Sequence, residues 1–149
     1  MSIFESDPGL EIVSTRVLDA DPQQVFAAWS DADRLGRWWG PNGFRCTFET
    51  FEMRPGGDWR FVMHGPDGTD HRNHWRFEEI VPAERIVMEH VSAPRFTLTA
   101  TFAADGGGTL LRWRMRFDSA AVCAAVRRYA VDANEQNFDR LAAELARVR

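Results

Sequence analysis

"DWRFVMHGPDGTDHRNHWRF", residues 58–77, decides the fold. Side chains on a strand alternate between its faces, so Trp59, Phe61 and Met63 point one way and Arg60, Val62 and His64 the other. The second half repeats the code, with Trp75 and Phe77 set against Arg72, His74 and Arg76. Pro66-Asp67-Gly68 between the halves is a turn signal. A three-residue loop with a bulge at Gly68 puts Trp59 opposite Trp75, Phe61 opposite Asn73 and Met63 opposite His71. Both strands then show their aromatic residues to the same side. The hairpin reads as part of an antiparallel sheet with one apolar face and one charged face.

The same alternation extends outward from the hairpin. Leu111, Trp113, Met115 and Phe117 face inward against Arg112, Arg114 and Arg116, and Phe96, Leu98, Ala100 and Phe102 against Thr97, Thr99 and Thr101. Turn signals ("RPGG", "GPDG", "VPAE", "SAPR" and "DGGG") divide residues 44–117 into six strands. "LEIVSTRVLD" (10–19), rich in β-branched residues, adds one before them. In "DPQQVFAAWS", Asp21 caps a helix, Pro22 takes its first position and Gln24 completes a capping box. Ser30 and Asp33 repeat that spacing for a second short helix, which carries Leu35, Trp38 and Trp39 on one face and stops at Gly40-Pro41. Beyond Asp118-Ser119 the period becomes helical through Val122, Val126, Ala130, Ala133, Asn137, Phe138, Leu141 and Leu145, for close to thirty residues. The sequence thus predicts an α+β domain over 1–149, with 1–9 as a short N-terminal arm. A seven-stranded curved antiparallel sheet surrounds a long C-terminal helix, and two short helices lie between strands 1 and 2.

Composition narrows the function. The 149 residues carry a net charge of −4, which gives no general attraction to nucleic acid. All 18 basic residues are arginine, so Schiff-base chemistry and a P-loop lysine are absent. No apolar run is long enough to insert in a membrane, and "MSIFESDPGL" lacks the features of a secretory signal. Cys46 and Cys123, far apart and without a CxxC, read as free buried thiols of a cytoplasmic protein. His71 and His74 stand three apart on a strand and point to opposite faces, a poor start for a metal site. No GxSxG motif occurs, and neither cysteine has an evident histidine partner.

Several segments in order, "TRVLDADPQQVFAAWSD", "LGRWWGP", "MRPGGDWRFVMHGPDG", "EEIVPAERIVMEH", "TATFAADGGGTLLRWRMRF" and "NFDRLAAELA", resemble the START/Bet v 1-like (SRPBCC) superfamily, in its branch of activator of heat-shock-protein-90 ATPase homologues. The resemblance spans about residues 10–147. It implies the helix-grip fold, in which sheet and long helix enclose a cavity closed at one end by the two short helices. Around "VDANEQNF" the chain departs from the family's usual small residue and tryptophan. The functions found in that family range over lipid carriers, cyclases and a co-chaperone domain, so the resemblance does not select among them.

The inward residues are the wall of that cavity or the filling that closes it. Trp38 and Trp39 belong at the seam with the short helices. Trp59, Phe61, Trp75 and Trp113, with Met63, Met88 and Met115, form an aromatic and methionine-rich surface suited to a flat apolar ligand. His71, Asn73 and His90 from the sheet and Tyr129 and Asn137 from the helix are the polar groups that would orient it. The leading expectation is a cofactor-free binder of a small hydrophobic molecule, monomeric or homodimeric. The alternatives are a cofactor-free cyclase or hydratase using His71 and Asn73, which requires His71 in the cavity, and a chaperone partner. Trp113, expected beside open space, should then cost about 1–2 kcal/mol on removal rather than the 3–5 of a solid core. The outward arginines, Arg60, Arg72, Arg76, Arg112, Arg114 and Arg116, are expected to be solvated and balanced by Glu78 and Glu89.

Overall fold

The computed structural model describes residues 9–148. The expected N-terminal arm therefore lies, apart from Gly9, outside the described residues. In chain order the elements are β1 (Glu11–Leu18), α1 (Pro22–Ser30), α2 (Ala32–Trp38), β2 (Arg45–Phe51), β3 (Asp58–His64), β4 (Asp70–Val81), β5 (Arg85–His90), β6 (Phe96–Asp105), β7 (Gly108–Arg116) and α3 (Ala120–Val148). The strands form one antiparallel sheet in the order β1-β7-β6-β5-β4-β3-β2. Strands β2 to β7 pair with their chain neighbours, and β1 joins the far edge beside β7. The α1–α2 segment links the two edge strands, β1 and β2. This is the α+β helix-grip arrangement.

The deciding hairpin has the expected register: Trp59 pairs with Trp75, Phe61 with Asn73 and Met63 with His71. Gly68 turns it with φ +86°, donating its N–H to the Gly65 carbonyl at 3.0 Å. Register shifts interrupt β2–β3 at Phe48/Thr50 and β4–β5 at Phe77/Glu79. Such bulges bend a strand and raise its twist, which lets the sheet curl around α3. At 29 residues, α3 is about 43 Å long and crosses the whole sheet.

Asp21 caps α1 in a complete capping box with Gln24, and Pro22 opens it. The second cap differs from expectation. Asp31 caps α2, accepting from the N–H groups of Asp33 and Arg34, while the Ser30 hydroxyl donates back to the Phe26 carbonyl at 2.9 Å. Helix α1 is one residue longer than the Ser30 reading allowed, and an aspartate in the next position caps equally well.

On α3 the buried face is Cys123, Val126, Ala130, Asn134, Asn137, Phe138, Leu141, Glu144 and Leu145. Val122, expected among them, is exposed. The inward face of the sheet is buried as its alternation requires, from Trp59 and Phe61 through Leu98 and Ala100 to Leu111, Trp113 and Phe117.

The outward arginines find other carboxylates than those expected. Arg114 and Arg116 converge on the buried Glu11 at 2.7 and 2.9 Å, Arg72 pairs with Glu49, and Arg76 lies 3.7 Å from Asp58. Glu89 pairs with Arg95, and burial together with the Glu89 charge pushes the Glu78 carboxyl up. Glu11 and Asp58 lie on strands adjacent to those of their arginines, while Glu49 on β2 reaches Arg72 on β4 across β3.

Candidate functional site

A cavity of about 200 Å³ lies between the inner face of the sheet and the middle of α3. Strands β3, β4, β5 and β7 supply Met63, Asn73, Trp75, His90, Trp113 and Met115 to its wall. The α2–β2 loop supplies Trp39, Gly40 and Pro41, and the β5–β6 connection supplies Pro94. Tyr129 and Asn137 reach it from α3, Tyr129 as a rim residue with 59% of its surface exposed.

Nine of the fourteen residues singled out in the sequence are thus brought together. Five are not. Trp38, Trp59, Phe61 and Met88 are fully buried in solid packing behind the wall. Alternation places the three strand residues among them on the inward face, but it does not say where along a strand the space remains open. His71 is exposed near the end of the hairpin, its ring tilted over Phe44 with centroids 6.2 Å apart. The condition attached to the cyclase or hydratase reading, His71 in the cavity, is not met.

The two adjacent tryptophans have different roles. Trp38 is a plug, its indole N–H donating to the Ala28 carbonyl at 3.0 Å. Trp39 is a hub. Its ring centroid lies within 5.7 Å of those of all five other tryptophans, Trp29, Trp38, Trp59, Trp75 and Trp113. Most of these contacts are edge-to-face, the arrangement the ring quadrupoles favour. The close packing leaves the N–H groups of Trp29, Trp59 and Trp75 buried with no acceptor among the described residues.

Gly40 follows with φ +99°, and a Cβ there would come within 2.7 Å of the Met63 methyl. Only glycine turns the chain at this rim and leaves Met63 its place.

A clamp from α3 holds the rim. The Arg140 guanidinium donates to five carbonyls, those of Arg37, Trp39, Gly40, Pro41 and Phe44, at 2.9–3.1 Å. The Asn137 amide donates to the Trp38 carbonyl at 2.7 Å and accepts the Gly40 N–H at 3.3 Å, while Gln136 accepts from the Asn42 N–H. A cation at the end of a helix, ringed by carbonyls, is favoured by the α2 dipole. One turn further on, Glu144 ties Arg34, Arg37 and Arg147 together at 2.8–3.0 Å. Sequence reasoning missed Arg140 altogether, because a lone arginine on a long helix carries no signal for distant carbonyls.

His90 is the polar centre of the sheet wall, only 7% exposed. Its Nδ1 lies 2.7 Å from the Pro94 carbonyl, which can only accept, so that nitrogen carries the proton. Nε2 stands 3.0 Å from the Asn73 amide oxygen and 3.2 Å from the Ser92 hydroxyl. Burial pushes the imidazole pKa down, against the carbonyl hydrogen bond. Burial thus favours the neutral ring, whose Nε2 can accept from the Ser92 hydroxyl but not from Asn73 Oδ1, itself an acceptor. On the helix side is Asn134, which the sequence reading met only within the departing stretch "VDANEQNF" and not as a site residue. Asn134 donates from its nitrogen to Ser14 Oγ at 3.2 Å and to Met115 Sδ at 3.5 Å.

On the opposite face of the sheet, Asp70 and Thr47 bracket His64 at 2.7 Å on either nitrogen, linking three strands. That chain is remote from the cavity. Among the described residues no three histidine, cysteine or acidic side chains gather closely enough for a metal ion, and no helix is long and apolar enough to cross a membrane.

A family model described as activator of Hsp90 ATPase homolog 1-like protein matches residues 19–146. No curated protein matches the chain in sequence. Among solved structures, the crystal structure of a Nitrosomonas europaea protein superposes with a TM-score of 0.88 at 16% identity, over 97% of this chain and 99% of that one. A solution structure of an Arthrobacter aurescens protein gives 0.86 at 25% identity, over 96% and 90%. A Chromobacterium violaceum protein gives 0.79 at 28% identity, over 89% and 95%.

Proposed function

We propose, from the premise that this chain belongs to the activator of Hsp90 ATPase homolog 1-like family, that it binds a small hydrophobic or aromatic molecule between sheet and α3. The observation that carries this reading is the cavity of about 200 Å³, walled by Trp39, Trp75, Trp113, Met63 and Met115 around a few polar groups. Apolar walls with a small number of convergent hydrogen-bonding groups are the usual make-up of a small-molecule site. Its free thiols, Cys46 and Cys123, are in keeping with work in a reducing compartment. The binder acts without a cofactor.

Native mass spectrometry of the purified chain, followed by titration of apolar dyes with intrinsic tryptophan fluorescence as readout, tests the reading. Trp39, Trp75 and Trp113 report directly on occupancy. Ala133→Phe, at a half-buried wall position, fills the space. We expect saturable binding that this variant abolishes; no saturable binding, or binding indifferent to the variant, refutes it.

The family description also names a chaperone ATPase. Rates of a bacterial Hsp90-type ATPase with and without the chain measure that second reading, and the expected result is no stimulation.

A further inference from the structure

Three properties of the cavity limit what it can hold, given that it is a ligand site at all. The first is charge. No aspartate, glutamate, lysine or arginine contributes to its wall. Arg140, close to the mouth, has its guanidinium committed to backbone carbonyls. An ionised carboxylate entering this space would lose its hydration and meet no counter-charge, which costs several kcal/mol or more.

The second is size. An apolar protein cavity of roughly 150 Å³ holds one benzene; 200 Å³ matches a single ring with a short substituent. Facing tryptophans favour a flat occupant.

The third is an acceptor left over. Asn134 lines the cavity and is only 7% exposed. Its nitrogen is engaged by Ser14 and Met115, and no described residue donates to its Oδ1. An amide oxygen with spare acceptor capacity in an otherwise apolar wall is a natural partner for a donor on a ligand.

We infer that the site is selective for a neutral, single-ring aromatic molecule bearing one hydrogen-bond donor, which the Asn134 amide oxygen receives. A phenol-type hydroxyl on a ring with a short alkyl group has this chemistry. The inference rests on the ligand-binding reading above and goes beyond it in charge, size and polar partner.

Isothermal titration of the wild-type chain with four probes of graded chemistry tests it: 4-ethylphenol, ethylbenzene, 4-ethylbenzoate and decanoate. Binding of 4-ethylphenol should be about tenfold tighter than that of ethylbenzene, with the two anions at least tenfold weaker than the phenol. In Asn134→Leu the phenol's advantage over ethylbenzene should vanish. Asn134→Ala, which adds no bulk, serves the same comparison if the leucine variant folds poorly. Anions binding as tightly as the phenol, lost in Ala133→Phe, would overturn the inference and leave the binding reading standing. So would a phenol preference that survives both Asn134 variants. If no probe and no larger apolar dye binds, the ligand-binding reading itself fails and takes the inference with it.

Discussion

Trp39 stacks on Trp113, with ring centroids 5.3 Å apart and planes inclined by 27°. The pair joins the α2–β2 loop to the middle of the sheet. On its other sides Trp113 meets Trp29 at 5.7 Å and Phe138 at 5.4 Å. Only 4% of it is exposed. It borders the cavity with one edge and is packed elsewhere, a geometry that favours the larger stability loss over the one expected from alternation alone. Trp113→Ala should cost about 3–5 kcal/mol in denaturant melts. A loss below about 2 kcal/mol would mean the ring faces far more open space than these contacts imply.

Arg140 gathers five carbonyls at the end of α2, four of them in the segment that carries the cavity rim. Burial pushes its pKa down, but carbonyl dipoles hold the charge where it is. Arg140→Met keeps the aliphatic stem and leaves the carbonyls unmet, for an expected loss of about 2–3 kcal/mol. Hydrogen exchange localises the effect. Amide protection should fall across residues 39–44 and stay unchanged in the β6–β7 hairpin. Uniform loss over the whole sheet would argue against a local clamp.

The hairpin at 58–77 shows why the sheet was legible and the cavity only partly so. Alternation is a local property, and it assigned Trp59, Phe61, Met63 and Trp75 to one face with their register. Whether an inward side chain meets another ring or an opening depends on how far the sheet curls. Bulges at Phe48/Thr50 and Phe77/Glu79, invisible to pattern reading, set that curl. Met88 and Phe61 disappear into packing for this reason. Asn134 was obscured differently: asparagine is an indifferent residue on a helix, and its burial follows only from where α3 crosses the sheet. The ion pairs that join Glu11 to Arg114 and Arg116, and Glu144 to Arg34 and Arg37, span more than a hundred residues and have no local signature.

Glu144 is 4% exposed and receives three arginines. Burial alone would raise its carboxyl, but hydrogen bonds from Arg147, Arg37 and Arg34 overcome this and hold it well below the usual carboxylate range. A depressed folded-state pKa adds stability that is present above the unfolded value, near 4.5, and is lost as pH falls further. Glu144→Gln should therefore lose about 1–3 kcal/mol at neutral pH. The difference from wild type should narrow below pH 4.5. An offset that stays constant down to pH 2.5 would exclude ionisation as its source.

His90 has the opposite sign and a different window. Burial pushes its folded-state pKa below the unfolded value of 6.5, so the unfolded chain takes up a proton first as pH drops. The stability gained by burying the neutral ring is complete above about pH 6.5 and declines as pH falls toward the folded-state value. The Pro94 carbonyl moderates the shift by favouring a protonated Nδ1, and the charge of His74 adds to it. Proton NMR of the His90 ring should show a midpoint below 6.5, and denaturant melts should show wild-type stability sloping downward from pH 7.5 to 5.5. His90→Gln removes the titrating group while keeping a polar side chain beside Asn73 and Ser92. Its melts should show a shallower slope over the same interval. If the site is occupied, apolar-probe affinity should weaken on the same acid limb in wild type, because protonation places a charge in a wall that has no counter-ion. A His90 midpoint above 6.5 would reverse the sign of both effects, and with it the assignment of a neutral ring to this wall.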